Sequence, residues 1–168
     1  SDALTLGNGL LEQSRKVRQI TKDVMFASFA PESYSALKDI LYFDTYAVAL
    51  RNWAAESDIF QKRFRSFMGN PVLLNLVSRG VLKDEYDTAL IMSGKAFEKL
   101  DGLRSRLDKI GQEGLLGEDL YVRIQVSSDP DLIALFDETR QTTDYLANSF
   151  ESYLNYFMDA LSREADSV

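Results

Sequence analysis

Apolar residues recur every three or four positions in long runs over most of this 168-residue chain. That spacing places side chains on one face of an α-helix. Three runs follow prolines, in Ala30-Pro31, Asn70-Pro71 and Asp129-Pro130. A first helical position tolerates proline, because its missing N–H has no partner there. The sequence therefore predicts an all-α protein of long helices.

The runs predict four long helices and one short helix. The long ones run from Ala3 to about Ala30, Pro31 to about Met68, about Lys83 to Ile110, and Pro130 to about Glu164; the short one runs from Pro71 to Arg79 and is closed by Gly80. Short connections favour opposite directions for successive helices. We predict a single domain over residues 1–168, a long antiparallel four-helix bundle with the short helix at one corner.

Local features add detail to this prediction. The apolar row of the second helix slips near Ser57 and resumes at Phe60, which indicates a bend or local overwinding. Gly94 and Gly102 inside the third helix predict close packing against a neighbour. The glycine-rich segment 111–117 is expected to form a flexible turn, and the segment 120–126 is interpreted as helical.

The chain contains no histidine and no cysteine, which excludes several kinds of chemistry. Di-iron bundles with Glu-x-x-His pairs, phosphotransfer on histidine, thiolate catalysis, Ser-His-Asp triads and His/Cys zinc sites all need one of these residues. Catalysis by carboxylates alone stays open, but no paired-carboxylate motif is evident. We predict no enzyme activity, no metal site and no cofactor.

A net charge of −7 argues against nucleic acid as a partner, since phosphate binding needs a basic surface. No apolar run approaches the roughly 20 residues of a membrane span. The absence of cysteine constrains the compartment only weakly, because it suits both oxidising and reducing surroundings.

The second helix carries an aromatic row, Tyr42, Tyr46 and Trp53, beside its main apolar row. Two adjoining rows make a stripe wider than one partner helix covers. Core packing is the simpler interpretation, and a subunit interface is the alternative. We predict a homodimer with Tyr42 and Tyr46 at the interface.

Polar residues on otherwise apolar rows indicate a ligand site. Ser93 in the third helix and Thr139 and Thr143 in the last helix face the axis, and counting through the turns brings Trp53 within one turn of Ser93. Hydroxyl groups beside an aromatic wall can hold a small solute. The competing interpretation is that these hydroxyls bond to the preceding carbonyl and only fill space.

The architecture resembles the helical extracytoplasmic sensory domains of bacterial chemoreceptors and sensor histidine kinases. The resemblance covers the whole chain, from the row opening at Ala3 to the end at Glu164-Ala165-Asp166, and no signature motif accompanies it. It implies a periplasmic domain attached to the inner membrane through flanking segments. It also implies a small-molecule ligand, often an organic acid held by arginine, for which Arg51 and Arg123 are the arginines beside apolar rows.

The alternative function is a cytosolic adaptor domain whose aromatic stripe docks another helix. The two functions differ in what should flank this segment in its gene. Apolar runs of about 20 residues on both sides would favour the receptor, and their absence would favour the adaptor.

Overall fold

The computed structural model of the protein describes residues 2–29, 42–112 and 130–166, and every regular element within them is helical. The elements are α1 (Asp2–Phe29), α2 (Tyr42–Met68), α3 (Pro71–Ser78), α4 (Lys83–Gln112), α5 (Pro130–Tyr145), a π-helical turn (Leu146–Phe150) and α6 (Glu151–Asp166). The last three follow one another without a break and are called the last helix below. The all-α prediction is confirmed within these residues, whereas the start of the second helix and the segments 113–117 and 120–126 lie outside them.

The short helix α3 has the ends that its sequence predicts. The Asn70 side chain accepts hydrogen bonds from the backbone N–H groups of Val72 and Leu73, at 3.0 and 3.3 Å, and Pro71 opens the helix. Gly80 follows the helix with a φ of +82°, a left-handed conformation that glycine adopts readily. Together these residues turn the chain from α2 into α4.

Contacts between successive long helices run in opposite residue order. Along α1, Gly9, Gln13 and Thr21 meet Arg63, Glu56 and Trp53 of α2, so the partner number falls as the residue number rises. The same order holds between α2 and α4, between α4 and the last helix, and between α1 and the last helix. The pairs that define it are Met68–Tyr86 and Asp58–Arg104, Glu85–Tyr153 and Arg106–Glu138, and Gly7–Met158 and Arg18–Glu151.

An aromatic cluster joins three of the long helices. Phe60 of α2 is fully buried and packs edge to face on Phe97 of α4 and Phe150 of the π-helical turn, with ring centroids 5.2 and 5.3 Å apart. A second pair, Phe67 and Phe157, links α2 to α6 at 5.8 Å. Lys62, Arg63 and Arg65 between these phenylalanines are exposed, as a buried apolar row with a charged outer face predicts.

The predicted slip in the second helix is wrong for the described residues. Trp53, Ser57, Phe60, Phe64 and Phe67 are all buried, and their spacing alternates between four and three without interruption. The buried face continues from the aromatic row that ends in Trp53. The prediction failed because it followed the alanine-rich row and did not count Ser57 as a core residue.

The buried face of α1 includes small residues that an apolar pattern does not reveal. Gly7, Ser14 and Thr21 are buried at intervals of seven residues, whereas the apolar residue Leu6 is 36% exposed. A Cβ atom at Gly7 would overlap the Sδ and Cε atoms of Met158 and reach 3.0 Å from the Phe67 ring. The absence of a side chain at Gly7 therefore sets how closely α1 approaches its neighbours.

The predicted close packing at Gly94 and Gly102 is wrong. Both residues are exposed, and a Cβ atom at either would meet no atom of the described residues within 4 Å. The close approach occurs in α1 instead, at Gly7.

The last helix contains an extra residue in one turn. The Glu151 N–H donates to the Leu146 carbonyl, five residues back, and closes a π-helical turn. Beyond it, Leu154 is buried and Tyr153 is half-buried. The buried face nevertheless stays on the regular row, since Phe157 is fully buried seven residues after Phe150.

The close approach at Gly7 predicts opposite effects for two glycine-to-alanine variants. Gly94→Ala should stabilise the protein by up to about 1 kcal/mol, because alanine is the better helix former and the space is open. Gly7→Ala should be about 1–3 kcal/mol less stable than Gly94→Ala, since Met158 and Phe67 must move. Urea denaturation measures both changes, and equal changes in the two variants would contradict the packing described for Gly7.

Candidate functional site: a polar layer at the π-helical turn

Glu151 is a buried carboxylate at the junction of the π-helical turn and α6. It is 5% exposed, and its Oε2 atom lies 3.4 Å from Nε of Arg18 on α1. Its Oε1 atom is buried and has no hydrogen-bond partner among the described residues. A buried carboxylate oxygen without a donor is unfavourable, so this site stores free energy that a new partner would release.

Burial raises the pKa of the Glu151 carboxyl, and the positive charges of Arg18 and Arg15 oppose that shift in part. Arg18 is 38% exposed in its side chain, so water weakens its attraction to the carboxylate. The single ion pair therefore does not compensate fully for the loss of hydration at Glu151.

Two further buried hydroxyl groups without partners lie at the height of Glu151. Gly7 of α1 lies against Met158 of α6. Ser14 follows Gly7 by seven residues, and Glu151 precedes Met158 by seven residues. Because the contacts of the two helices run in opposite order, Ser14 and Glu151 lie at the same height. Ser57 follows Glu56, whose carbonyl accepts from the Gln13 side chain at 3.0 Å, which places Ser57 at the same height. The Oγ atoms of Ser14 and Ser57 lack partners among the described residues. Glu151, Ser14 and Ser57 are called the polar layer below.

A fully paired polar cluster borders this layer between α1 and α2. Gln13 donates to both the backbone and the carboxylate of Glu56, and Lys16 Nζ lies 3.0 Å from the other carboxylate oxygen. The hydrogen bond from Gln13, followed by that from Lys16, lowers the pKa of Glu56 against the smaller effect of its burial. The polar side chains of this α1–α2 cluster therefore have hydrogen-bond partners, whereas the atoms of the polar layer named above do not have them among the described residues.

The structure places Trp53 against α1. Its Nε1 donates to Thr21 Oγ1 at 2.7 Å, and the Thr21 hydroxyl donates to the Val17 carbonyl at 2.7 Å. Counting through the turns predicted Trp53 within one turn of Ser93, but Phe60 and Phe64 of α2 pack on Phe97 in that region. The turn at α3 takes up more chain than the count assumed, so Trp53 lies away from Ser93.

The three predicted hydroxyl residues bond within their own helices. Ser93 donates to Ala89, Thr139 to Leu135, and Thr143 to both Thr139 and Arg140, at 2.6 to 3.0 Å. Tyr145 donates to the Met92 carbonyl at 3.0 Å, so Ser93 and Thr143 do lie at similar heights on facing helices. Their role in binding a ligand stays a prediction.

The remaining predicted site residues are placed only in part. Arg51 lies on α2 with its side chain exposed. Tyr42 and Tyr46 belong to α2, but their side chains, like Arg123, lie outside what the structure describes. The predicted dimer interface stays a prediction.

Two open surface grooves lie between helices. One, of about 640 Å³, is lined by Thr5, Leu6, Asn8, Gly9, Glu12, Lys62, Arg63 and Ser66 of α1 and α2. The other, of about 350 Å³, lies between α4 and α5 and is lined by Lys95, Glu98, Lys99, Gly102, Glu138, Gln141 and Thr142. The second groove adjoins the region in which the sequence predicted a ligand, one residue from Thr143.

Sequence reasoning missed the polar layer. The apolar spacing did not predict Ser14 and Glu151 as core residues. Ser14 lies seven residues after Gly7, and Glu151 lies seven residues before Met158, which packs against Gly7. Serine at heptad spacing between Gly7 and Thr21 was a usable signal, since it marks a stripe of small residues. Glu151 gave no signal, because its burial depends on the extra residue of the π-helical turn.

Comparison with protein-family models, with curated proteins and with solved structures finds no match for this chain. None of the helices within the described ranges is long and apolar enough to cross a membrane. Over the same ranges, acidic side chains do not gather in groups of three or more that could hold a metal ion.

The raised pKa of Glu151 predicts a loss of stability with rising pH. Because the folded protein holds this proton more tightly than the unfolded chain, its contribution is present below the ordinary value of 4.5 and is lost as the pH rises through the raised pKa. Glu151→Gln should flatten this dependence and melt at a higher temperature at neutral pH. Thermal melts from pH 5 upward measure it, with the exposed Glu12→Gln as control, and an unchanged slope in Glu151→Gln would contradict the assignment.

The bond between Trp53 and Thr21 predicts a second stability effect. Thr21→Val keeps the shape of the side chain but leaves the buried Trp53 N–H without an acceptor, which should destabilise by about 1–3 kcal/mol. Thr139→Val removes a buried hydroxyl that bonds only to its own helix, so its effect should be near zero. Denaturant unfolding compares them, and equal losses would show that the bond to Trp53 contributes nothing.

Proposed function

We propose that this chain is a long antiparallel four-helix bundle that serves as the extracytoplasmic ligand-sensing domain of a transmembrane receptor, a histidine kinase or a chemoreceptor. The observation that carries the proposal is the polar layer, in which Ser14 of the first long helix and Glu151 of the last have side-chain oxygens without partners among the described residues. In such a receptor these two helices lead to the membrane, and a small displacement between them is the signal.

A displacement signal needs an element with two arrangements close in free energy. The polar layer supplies one, because Glu151 Oε1 and the Oγ atoms of Ser14 and Ser57 lack hydrogen-bond partners among the described residues and would gain from a shift that pairs them. A ligand that binds one arrangement better by about 1–3 kcal/mol would change the balance.

The contact order supports the same geometry. Gly7 of α1 lies against Met158 of α6, and Arg18 of α1 pairs with Glu151, an order of contacts that supports opposite directions for the two outer helices. Such an arrangement suits attachment on the periplasmic side of the inner membrane through segments that flank this chain. Homodimerisation through Tyr42 and Tyr46 belongs to the same proposal.

The adaptor alternative receives less support. It requires the aromatic row of the second helix to be available for docking, but Trp53 is 1% exposed and bonds to Thr21 of α1. The phenylalanines that continue the row are also buried.

The proposal predicts a ligand-dependent shift between α1 and α6. The chain has no cysteine, so Lys22→Cys with Asn155→Cys provides a unique pair of exposed labelling sites at different heights along the two helices. Spin-label distances should change by about 1–2 Å with a solute that raises the melting temperature in a metabolite screen.

A matched pair, Lys22→Cys with Lys62→Cys, reports on α1 and α2, which the paired cluster around Glu56 holds together. Its distance should stay constant. A distance between α1 and α6 that no stabilising solute alters would overturn the sensory proposal.

A further inference from the structure

The groove between α4 and α5 has the shape of a small-solute site. Its volume is about 350 Å³, and it is bounded by Lys95, Lys99 and Gly102 on one helix and by Gln141 and Thr142 on the other. Gly102 is exposed, and within the described ranges a Cβ atom there would meet no other atom closer than 4 Å. The missing side chain at Gly102 therefore leaves room in the wall of the groove.

The charges in the groove favour an anion. Lys95 and Lys99 are one helical turn apart, and neither pairs with a carboxylate of the described residues. Lys99 Nζ also lies 5.5 Å from the centre of the Tyr145 ring, a cation–π contact.

The two glutamates of the groove limit the charge of the ligand. Glu138 pairs with Arg106 at 2.6 Å, so that its charge is already compensated. Glu98 has no cationic partner among the described residues and offsets one lysine. With Glu138 paired, the charges of Lys95, Lys99 and Glu98 leave the lining with a surplus of one positive charge. A ligand of charge −1 neutralises this surplus, whereas a ligand of charge −2 leaves the site with a net negative charge.

The facing helix offers polar contacts. Gln141 is exposed and can donate its side-chain amide to a carboxylate. The Thr142 hydroxyl donates to the Glu138 carbonyl at 2.7 Å and keeps its lone pairs for a donor group on the ligand. A hydroxyl or amino group on the solute would complement it.

We propose that this groove binds a small monocarboxylate solute, with Lys95, Lys99 and Gln141 holding the carboxylate and Thr142 accepting from a hydroxyl or amino group. The site rests on the proposed sensory function and names the class of solute that would be sensed. It lies on α5, the segment that leads into the π-helical turn and Glu151.

Lactate, glycolate, succinate and inorganic phosphate serve as probes at millimolar concentration, and binding is followed by amide chemical shifts in nuclear magnetic resonance. Lactate or glycolate should shift residues of α4 and α5 around the groove and bind more tightly than succinate or phosphate. The neutral compound lactamide should not bind. Absence of shifts with both monocarboxylates, or tighter binding of phosphate or lactamide, would overturn the assignment.

Two variants test the location with matched controls on the same helix. Gly102→Leu fills the groove and should abolish binding, whereas Gly94→Leu adds the same side chain at an exposed position outside it and should leave the affinity unchanged. Lys99→Gln should weaken binding at least several-fold, and the exposed Lys109→Gln should not. Binding that survives Gly102→Leu would overturn the site.

The outcomes separate this inference from the sensory proposal. Binding in the groove with no change between α1 and α6 supports the site and contradicts the proposed signalling role. A change between α1 and α6 caused only by solutes that leave the groove residues unshifted supports signalling and overturns the site.

Discussion

The burial of Phe60 is the interaction on which the rest of the structure depends. Its ring touches Phe97 of α4 and Phe150 of the π-helical turn, so one side chain of α2 ties three helices together. Edge-to-face aromatic pairs add about 0.5–1.5 kcal/mol each beyond the apolar area that they bury. Phe150 directly precedes Glu151 in the chain. The packing of Phe150 keeps the Glu151 carboxylate buried, although the carboxylate would be better hydrated at the surface.

The polar layer is understandable only together with that packing. Glu151, Ser14 and Ser57 would each prefer water or a hydrogen-bond partner, and the aromatic contacts beside them offset this preference. Buried polar groups without partners are rare in stable cores and often mark places where a protein changes state. The polar layer is held in place by neighbouring packing and lacks hydrogen bonds of its own. Such a site can change its arrangement in response to a small free energy of ligand binding.

The candidate sites differ in how far the sequence revealed them. Ser93, Thr139 and Thr143 were visible as polar residues on apolar rows, but their hydroxyls bond to their own helices. The groove nearby is lined by Lys95, Lys99 and Gln141, ordinary surface residues in the sequence. These residues come together because of the way α4 and α5 are aligned along each other. The spacing of residues within one helix does not predict that alignment.

The sequence by itself determined the helical class, the ends of α3 and the buried phenylalanine row, because helical spacing, proline and asparagine capping act within a few residues. Only the tertiary structure decided the burial of Gly7 and Ser14, the bond between Trp53 and Thr21, and the placement of Glu151. These depend on how closely helices approach and on an extra residue in one turn. Such features arise from contacts between distant segments, which the spacing of residues within one helix does not define.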